Sequence, residues 1–244
     1  MNKKHQTTPE KISTGHRVLR STLATLMLLW QLGPAYLAAN PVGEQVVNGD
    51  VSFQRNGNTL EITQGSQKAI VNWDDFSIDA GELTDIQQPG VAAAILNRVV
   101  TNNPSALHGT LQANGQVFLI NPNGILVGPS GTIDTASFVA STLDATNQEF
   151  LNGEDITFSG NSTAQIANLG QISASDGDVV LIAQSINNEG SLSAPEGEVG
   201  LGAGTEVVLH DTGNDLLTVN AGNHLDEDEG AIENSGLIES TSAE

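Results

Sequence analysis

Two stretches of this chain align without a gap at a spacing of 20 residues: "NLGQISASDGDVVLIAQSI", from Asn168, and "NEGSLSAPEGEVGLGAGTEV", from Asn188. The match pairs Asn168 with Asn188, Gly170 with Gly190, Ile172 with Leu192, Ala174 with Ala194 and Gly177 with Gly197. "NSGLIESTSAE" from Asn234 opens a third copy, with Gly236 and Ile238 in the same places. "HGTLQANGQVFLI" holds a looser, earlier copy through Gly109, Leu111, Ala113 and Gly115. A period near 20 with several short strands per unit is the mark of a β-solenoid, in which each turn lays down two or three strands and stacks on the last. One face of each strand points into a narrow bore, which suits Val, Ile, Leu and Ala. Corners need tight turns or positive φ, which suits Gly, Asn and Asp. A β-sandwich also spaces its strands regularly, but gives no reason for a gap-free repeat.

Ahead of the repeats, residues 41–78 read differently. Their strands alternate apolar and polar residues, with hairpin signals at "NGD" and "RNGN". Antiparallel strands capping the first coil fit this pattern, because an open solenoid end exposes bare strand edges. After Asn40 no segment has a convincing helical period with caps. The nearest is "GVAAAILNRVV", residues 90–100, a short helix or a buried strand.

The first 39 residues follow another rule. Lys3, Lys4, Lys11, Arg17 and Arg20 precede the apolar run "LATLMLLW" and then "QLGPAYLAAN". Basic region, short apolar core and small residues make a signal peptide over residues 1–39, cut after Ala38 or Ala39 and read by the general secretory machinery. The run is short of the about 20 apolar residues a membrane span needs. The competing reading is a buried amphipathic helix. Of 8 Lys+Arg and 29 Asp+Glu, the leader takes those five cations and Glu10. The mature part keeps Arg55, Lys68 and Arg98 against 28 acids, a net charge of about −25. Such a surface repels phosphate backbones, which excludes nucleic acid as a partner, and argues against anionic membranes. With no cysteine, stability rests on no disulfide.

One tetrapeptide stands out: "NPNG", Asn121, Pro122, Asn123 and Gly124, between the apolar runs "QVFLI" and "ILV". By turn chemistry it is a type I turn, with Pro122 fixing φ at the second position and Gly124 at the fourth. Its context adds more. "NW" at Asn72 and Trp73 leads to "FSI" at 76–78, "ILNRV" at 95–99, "LHGTLQANGQVFLINPNGI" at 107–125 and "FVASTLD" at 138–144. In this order and spacing, over roughly residues 46–151, the chain resembles the secretion domain of two-partner secretion exoproteins, the filamentous haemagglutinin and high-molecular-weight adhesin family.

The resemblance implies an all-β, right-handed parallel β-helix with an N-terminal antiparallel cap. It divides the chain into a leader (1–39), a secretion domain (40–152) and further coils that begin the exoprotein shaft (153–244). It implies recognition in the periplasm by an outer-membrane transporter, through that transporter's POTRA domains and β-barrel. Folding then follows on the far side, and the product is secreted or held at the surface of a Gram-negative bacterium, where a host-cell surface is a possible partner. The family's NPNG element maps onto Asn121, Pro122, Asn123 and Gly124, as a recognition element or a structural turn. Its NRV element maps onto Asn97, Arg98 and Val99, and Arg98 is expected to pair with an acidic residue of the cap or to present a charge to the transporter. An upstream "NPNL", present in some members, is absent, which leaves the chain nearer the high-molecular-weight adhesin branch.

Other β-helices are lyases and hydrolases. Here no Lys or Arg follows Arg98, and His108, His210 and His224 are dispersed. "GPSG" at Gly128 and "GLGAG" at Gly200 lack the strand-turn-helix contexts of a serine nucleophile or a dinucleotide site. No catalysis and no cofactor are expected. The acidic run "DEDEG", residues 226–230, matches neither an EF-hand loop nor the glycine-rich nonapeptide repeat and reads as a solvated loop rather than a metal site. The chain stops inside a repeat, which suggests that it continues. The whole protein is then an adhesin or haemagglutinin; the alternative is a short stand-alone solenoid that binds a surface directly.

Overall fold

The computed structural model describes residues 40–153, 155–211, 217–221 and 231–240. The leader with its Ala38 or Ala39 cut, His224 and the 226–230 loop lie outside the described residues.

The chain winds through three sheets in a fixed rotation, as a right-handed parallel β-helix of about 6 turns. Sheet one stacks Gln45–Asn48, Lys68–Trp73, Ala94–Val99, Gln116–Ile120, Ser137–Ser141, Val179–Ala183 and Val199–Ala203. Sheet two stacks Val51–Asn56, Thr59–Gln64, Leu83–Gln87, Thr110–Ala113, Thr132–Thr135, Gln171–Ala174, Ser191–Ala194 and Leu237–Ser240. Sheet three stacks Ser105–Leu107, Ile125–Val127, Gln165–Asn168, Ser185–Asn188 and Ala231–Asn234. Only the first strand of sheets one and two is antiparallel to its neighbour, and these two strands form the cap.

The 20-residue spacing is the register of the coil on all three sheets: Asn168 lies beside Asn188, Ile172 beside Leu192 and Val179 beside Val199. The third copy joins 46 residues on, with Asn234 beside Asn188 and Ile238 beside Leu192. Strands Glu206–Asp211 and Leu217–Ala221 leave the coil in between. The repeated asparagines form a ladder inside the corner. Asn168 Nδ2 donates to Asn188 Oδ1 at 2.8 Å, and Asn188 Nδ2 to Asn234 Oδ1 at 2.7 Å. The repeated glycines allow backbones to touch, since a Cβ on Gly190 would sit 2.1 Å from the Gly170 carbonyl oxygen.

Two cores share sheet one. The bore holds residues such as Leu60, Ile62, Val71, Leu111, Val117, Ile133 and Leu181, all fully buried. At its first coil Trp73 plugs the bore, meeting Phe53 and Phe76 edge-on with ring centroids 5.5 and 5.4 Å away. The other face of sheet one carries Ile70, Leu96, Phe118, Val139, Val180 and Ile182. A small antiparallel sheet covers it, built from Ile156–Ser159, Glu206–Asp211 and Leu217–Ala221. A strand buried on both faces has no reason to alternate. That accounts for "VVLIA", buried at every position.

One element departs from the sequence reading. Asn147–Asn152 is an α-helix, where no capped helix is expected. Thr146 and Glu149 close a capping box at its start, and Gly153 ends it at φ 70°. Six residues make fewer than two turns, too short for a helical period to show. The 90–100 ambiguity resolves to the strand Ala94–Val99.

Candidate functional site

The three elements that carry the family resemblance lie on three consecutive turns of one corner. In sheet one Trp73 pairs with Val99, Asn72 with Arg98, and Arg98 with Ile120. Side chains point alternately to the two faces of the sheet. Asn97 therefore enters the bore, fully buried, where it accepts the Trp73 indole N–H at 3.0 Å and donates to the Phe118 carbonyl at 3.3 Å. Val99 is buried beside it, and Arg98 points to the outer face.

Beyond these strands the chain turns the corner three times, and the turns are laced together. Thr101 Oγ1 and Asn103 Nδ2 both donate to the Asp74 carbonyl. One turn further, Asn121 Nδ2 donates to the Asn103 carbonyl and to Ser105 Oγ, both at 2.9 Å. Its Oδ1 accepts the Asn123 backbone N–H at 2.9 Å and Asn123 Nδ2 at 3.1 Å. Asn123 Nδ2 also reaches the Thr101 carbonyl at 2.8 Å. The Gly124 N–H donates to the Asn121 carbonyl at 3.1 Å and closes the turn, with Gly124 at φ 108°. Asn121 is fully buried, with both amide ends occupied. Both asparagine side chains face inward. Pro122 is the exposed member, and its carbonyl accepts Ser162 Oγ from the next turn at 2.6 Å.

Arg98 binds neither the cap nor open solvent. Its guanidinium donates to Asp144 Oδ1 at 2.9 Å, Asn147 Oδ1 at 2.7 Å and the Ala145 carbonyl at 2.7 Å. All three partners belong to the segment that leads into the helix, 46 or more residues away, so the expected cap carboxylate is not its partner. Lys68, a coil earlier, acts in the same way, donating to the Phe150 carbonyl at 2.7 Å with its Nζ 5.5 Å from the Phe150 ring centroid. The third cation of residues 40–244, Arg55, grips Glu44 with two hydrogen bonds of 2.7 and 2.8 Å inside the cap. Arg55 holds the Glu44 carboxyl below its usual range, and the Thr146 hydroxyl does the same for Glu149. Lys68 and Arg98 thus fasten the helix segment to the coil, while Arg55 holds the cap together.

Sequence reasoning missed Thr101, Asn103 and Ser105 as partners of the turn. A signal existed: an Asn-Pro pair precedes the sheet-three strand in both coils, at Asn103 and Pro104 and again at Asn121 and Pro122. His108 sits in the corner between Ser105–Leu107 and Thr110–Ala113, whereas His210 lies in Glu206–Asp211 and pairs with Asp155 at 2.8 Å. Among the described residues no group of three or more His, Cys, Asp or Glu converges as a metal site would.

Comparison with known proteins matches residues 38–243 to the TPS secretion domain family. A heme/hemopexin-binding protein of Haemophilus influenzae is 30% identical over 195 residues, 75% of this chain and 21% of the relative. Another of that name from the same species is 32% identical over 127 residues, 51% of this chain and 14% of the relative. The chain therefore spans about a fifth or less of the curated relatives it matches. The crystal structure of the HMW1 secretion domain from Haemophilus influenzae superposes with a TM-score of 0.72 at 34% identity, covering 82% of this chain and 55% of that one. The filamentous hemagglutinin secretion domain gives 0.54 at 18% identity, covering 82% and 74%, a likeness of fold alone.

Proposed function

The chain belongs to the TPS secretion domain family, and on that premise we propose that it is the N-terminal secretion module of a two-partner secretion exoprotein. Proteins of this family leave Gram-negative bacteria through an outer-membrane transporter partner. In our reading the leader, cut at Ala38 or Ala39, carries the chain through the general secretory machinery. Residues 40–152 are then recognised in the periplasm by the transporter's POTRA domains, and residues 153–244 follow through its β-barrel as further coils.

The observation that carries this reading is the stack of Trp73, Asn97 and the 121–124 turn on successive rungs of one corner. These residues tie the first three coils into one unit, which suits a nucleus on which later coils add strand by strand. Asn121 and Asn123 serve the fold first, because their amides are spent on Thr101, Asn103 and Ser105. What the folded corner offers a partner is its shape and Pro122. The mature charge of about −25 keeps the unfolded chain from collapsing before export.

The whole exoprotein is an adhesin or haemagglutinin in this proposal. A second reading has a specific observation behind it: two relatives are named heme/hemopexin-binding proteins, so the regions beyond this module would capture heme or its carrier protein.

The test is binding of the transporter's isolated periplasmic domains to the purified module, native and freshly diluted from urea, with Pro122→Ala and Asn121→Ala in parallel. Binding to wild type is expected, with Asn121→Ala losing it wherever the fold is lost. Absence of binding in both states would sink the secretion-module reading and leave a stand-alone solenoid.

A further inference from the structure

Five Asn-Gly pairs occur in the mature chain: Asn48/Gly49, Asn56/Gly57, Asn114/Gly115, Asn123/Gly124 and Asn152/Gly153. All share one intrinsic chemistry. The glycine amide nitrogen attacks the asparagine side-chain carbonyl carbon, ammonia leaves, and a five-membered succinimide forms. Water then opens the ring to aspartate or isoaspartate. Overall an amide and water become a carboxylate and ammonium, with no redox step. The attack needs a free glycine nitrogen, a free side-chain amide and a backbone able to rotate.

Only one of the five pairs meets all three needs. Asn114 is held at both ends by Gln88, with Oδ1 accepting the Gln88 N–H at 2.7 Å and Nδ2 donating to the Gln88 carbonyl at 2.9 Å. The Gly153 nitrogen is engaged with the Glu149 carbonyl at the helix end. Gly49 is wedged against the neighbouring strand, where a Cβ would lie 2.6 Å from Ser66 Oγ and 2.7 Å from the Lys68 carbonyl oxygen. In the 121–124 turn the Gly124 nitrogen is spent on the Asn121 carbonyl, and Asn123 Nδ2 is shared between Thr101 and Asn121. Asn56, by contrast, is exposed at the tip of the cap hairpin, and no side-chain hydrogen bond holds it among the described residues. Gly57 stands at φ 58° with no atom within 4 Å of where a Cβ would be.

We infer that Asn56 is the deamidation site of the folded module, and that folding shields Asn123 from the same reaction. The two products differ in consequence. A carboxylate at position 56 faces water. At position 123 it would replace a donor with an acceptor, aimed at the Thr101 carbonyl and Asn121 Oδ1, and the corner would lose its tie to the preceding coil. An unfolded chain exposes both pairs equally, so time spent unfolded is written into Asn123 and time spent folded into Asn56.

Peptide mass mapping after incubation in warm, mildly alkaline buffer tests it, on the native module, on the same protein in urea, and on Asn56→Ser. Reaction at Asn123 first requires breaking three hydrogen bonds, which slows it by roughly a hundredfold relative to Asn56 in the native protein. The expected result is early conversion confined to the Asn56 peptide in the native state. Comparable conversion of both peptides is expected in urea, and no early conversion in native Asn56→Ser. Native conversion at Asn123, or at any other pair, as fast as at Asn56 overturns the inference. So does a native Asn56 slower than the same residue in urea by the factor seen at Asn123.

Discussion

Replacing Asn121 by alanine removes four hydrogen bonds from a side chain with no exposed surface. The Asn103 carbonyl lies in an exposed loop, where water can replace the lost donor. Ser105 Oγ cannot be rescued so easily, because Ser105 is only 1% exposed, and the Asn123 N–H sits in a half-buried turn. Two groups are thus left poorly satisfied, at about 1–3 kcal/mol each, so the loss of stability is about 2–6 kcal/mol. Urea unfolding of a chain this size has a slope of about 3 kcal/mol per molar, which puts the midpoint about 1–2 M lower. Trp73 makes the assay local. It is the one tryptophan in residues 40–244, and it sits in the bore bonded to Asn97. Pro122→Ala is the control, because its exposed ring leaves only the unfolded-chain effect of about 1 kcal/mol or less. An Asn121→Ala midpoint within experimental error of wild type, or one matched by Pro122→Ala, would refute the inward lock.

Three further outcomes follow from the same geometry. Arg98→Met removes three charge-assisted hydrogen bonds, discounted because Asp144 is half exposed, and should cost about 2–3 kcal/mol while raising amide exchange over residues 144–153 before the bore loosens. Gly190→Ala forces a methyl to 2.1 Å from the Gly170 oxygen and should cost about 3 kcal/mol or more, read as a lower urea midpoint. Acid should loosen the cap and the helix before the bore. Glu44 and Glu149 are held below the ordinary glutamate range. The stability they add is present above the unfolded value, about 4.3, and is lost as pH falls through their lower folded values. Both are largely solvated, so each effect is under about 1 kcal/mol, seen as faster amide exchange in residues 45–56 and 147–153 below about pH 4.

The coil was legible where its turns are equal in length. Residues 168–203 repeat at 20 because two successive turns there have identical corners. Earlier turns do not: Trp73 to Val99 spans 26 residues and Arg98 to Ile120 spans 22, so their kinship is hidden from a fixed-period reading. The cap hairpin at Asn56 and Gly57 was legible from its Asn-Gly signal, which is local, but the expected hairpin at "NGD" is not one: the strands before and after Asn48 and Gly49 join different sheets. The covering layer was not. Its helix is six residues long, and its strands come from two insertions that meet only when Ile156 pairs with Leu209. The double burial of sheet one did leave a trace, in apolar runs too continuous for a strand with one wet face. At the corner, the turn at 121–124 could be read from Pro and Gly, but not the inward direction of Asn121 and Asn123. Nor could the tie from Arg98 to Asp144, which depends on where an insertion folds back.

Export of residues 1–244 from a Gram-negative host, with and without a cognate two-partner transporter in the outer membrane, tests the secretion-module claim most directly. Folded product in the medium only when the transporter is present is the expected result. Equal export without the transporter would contradict it.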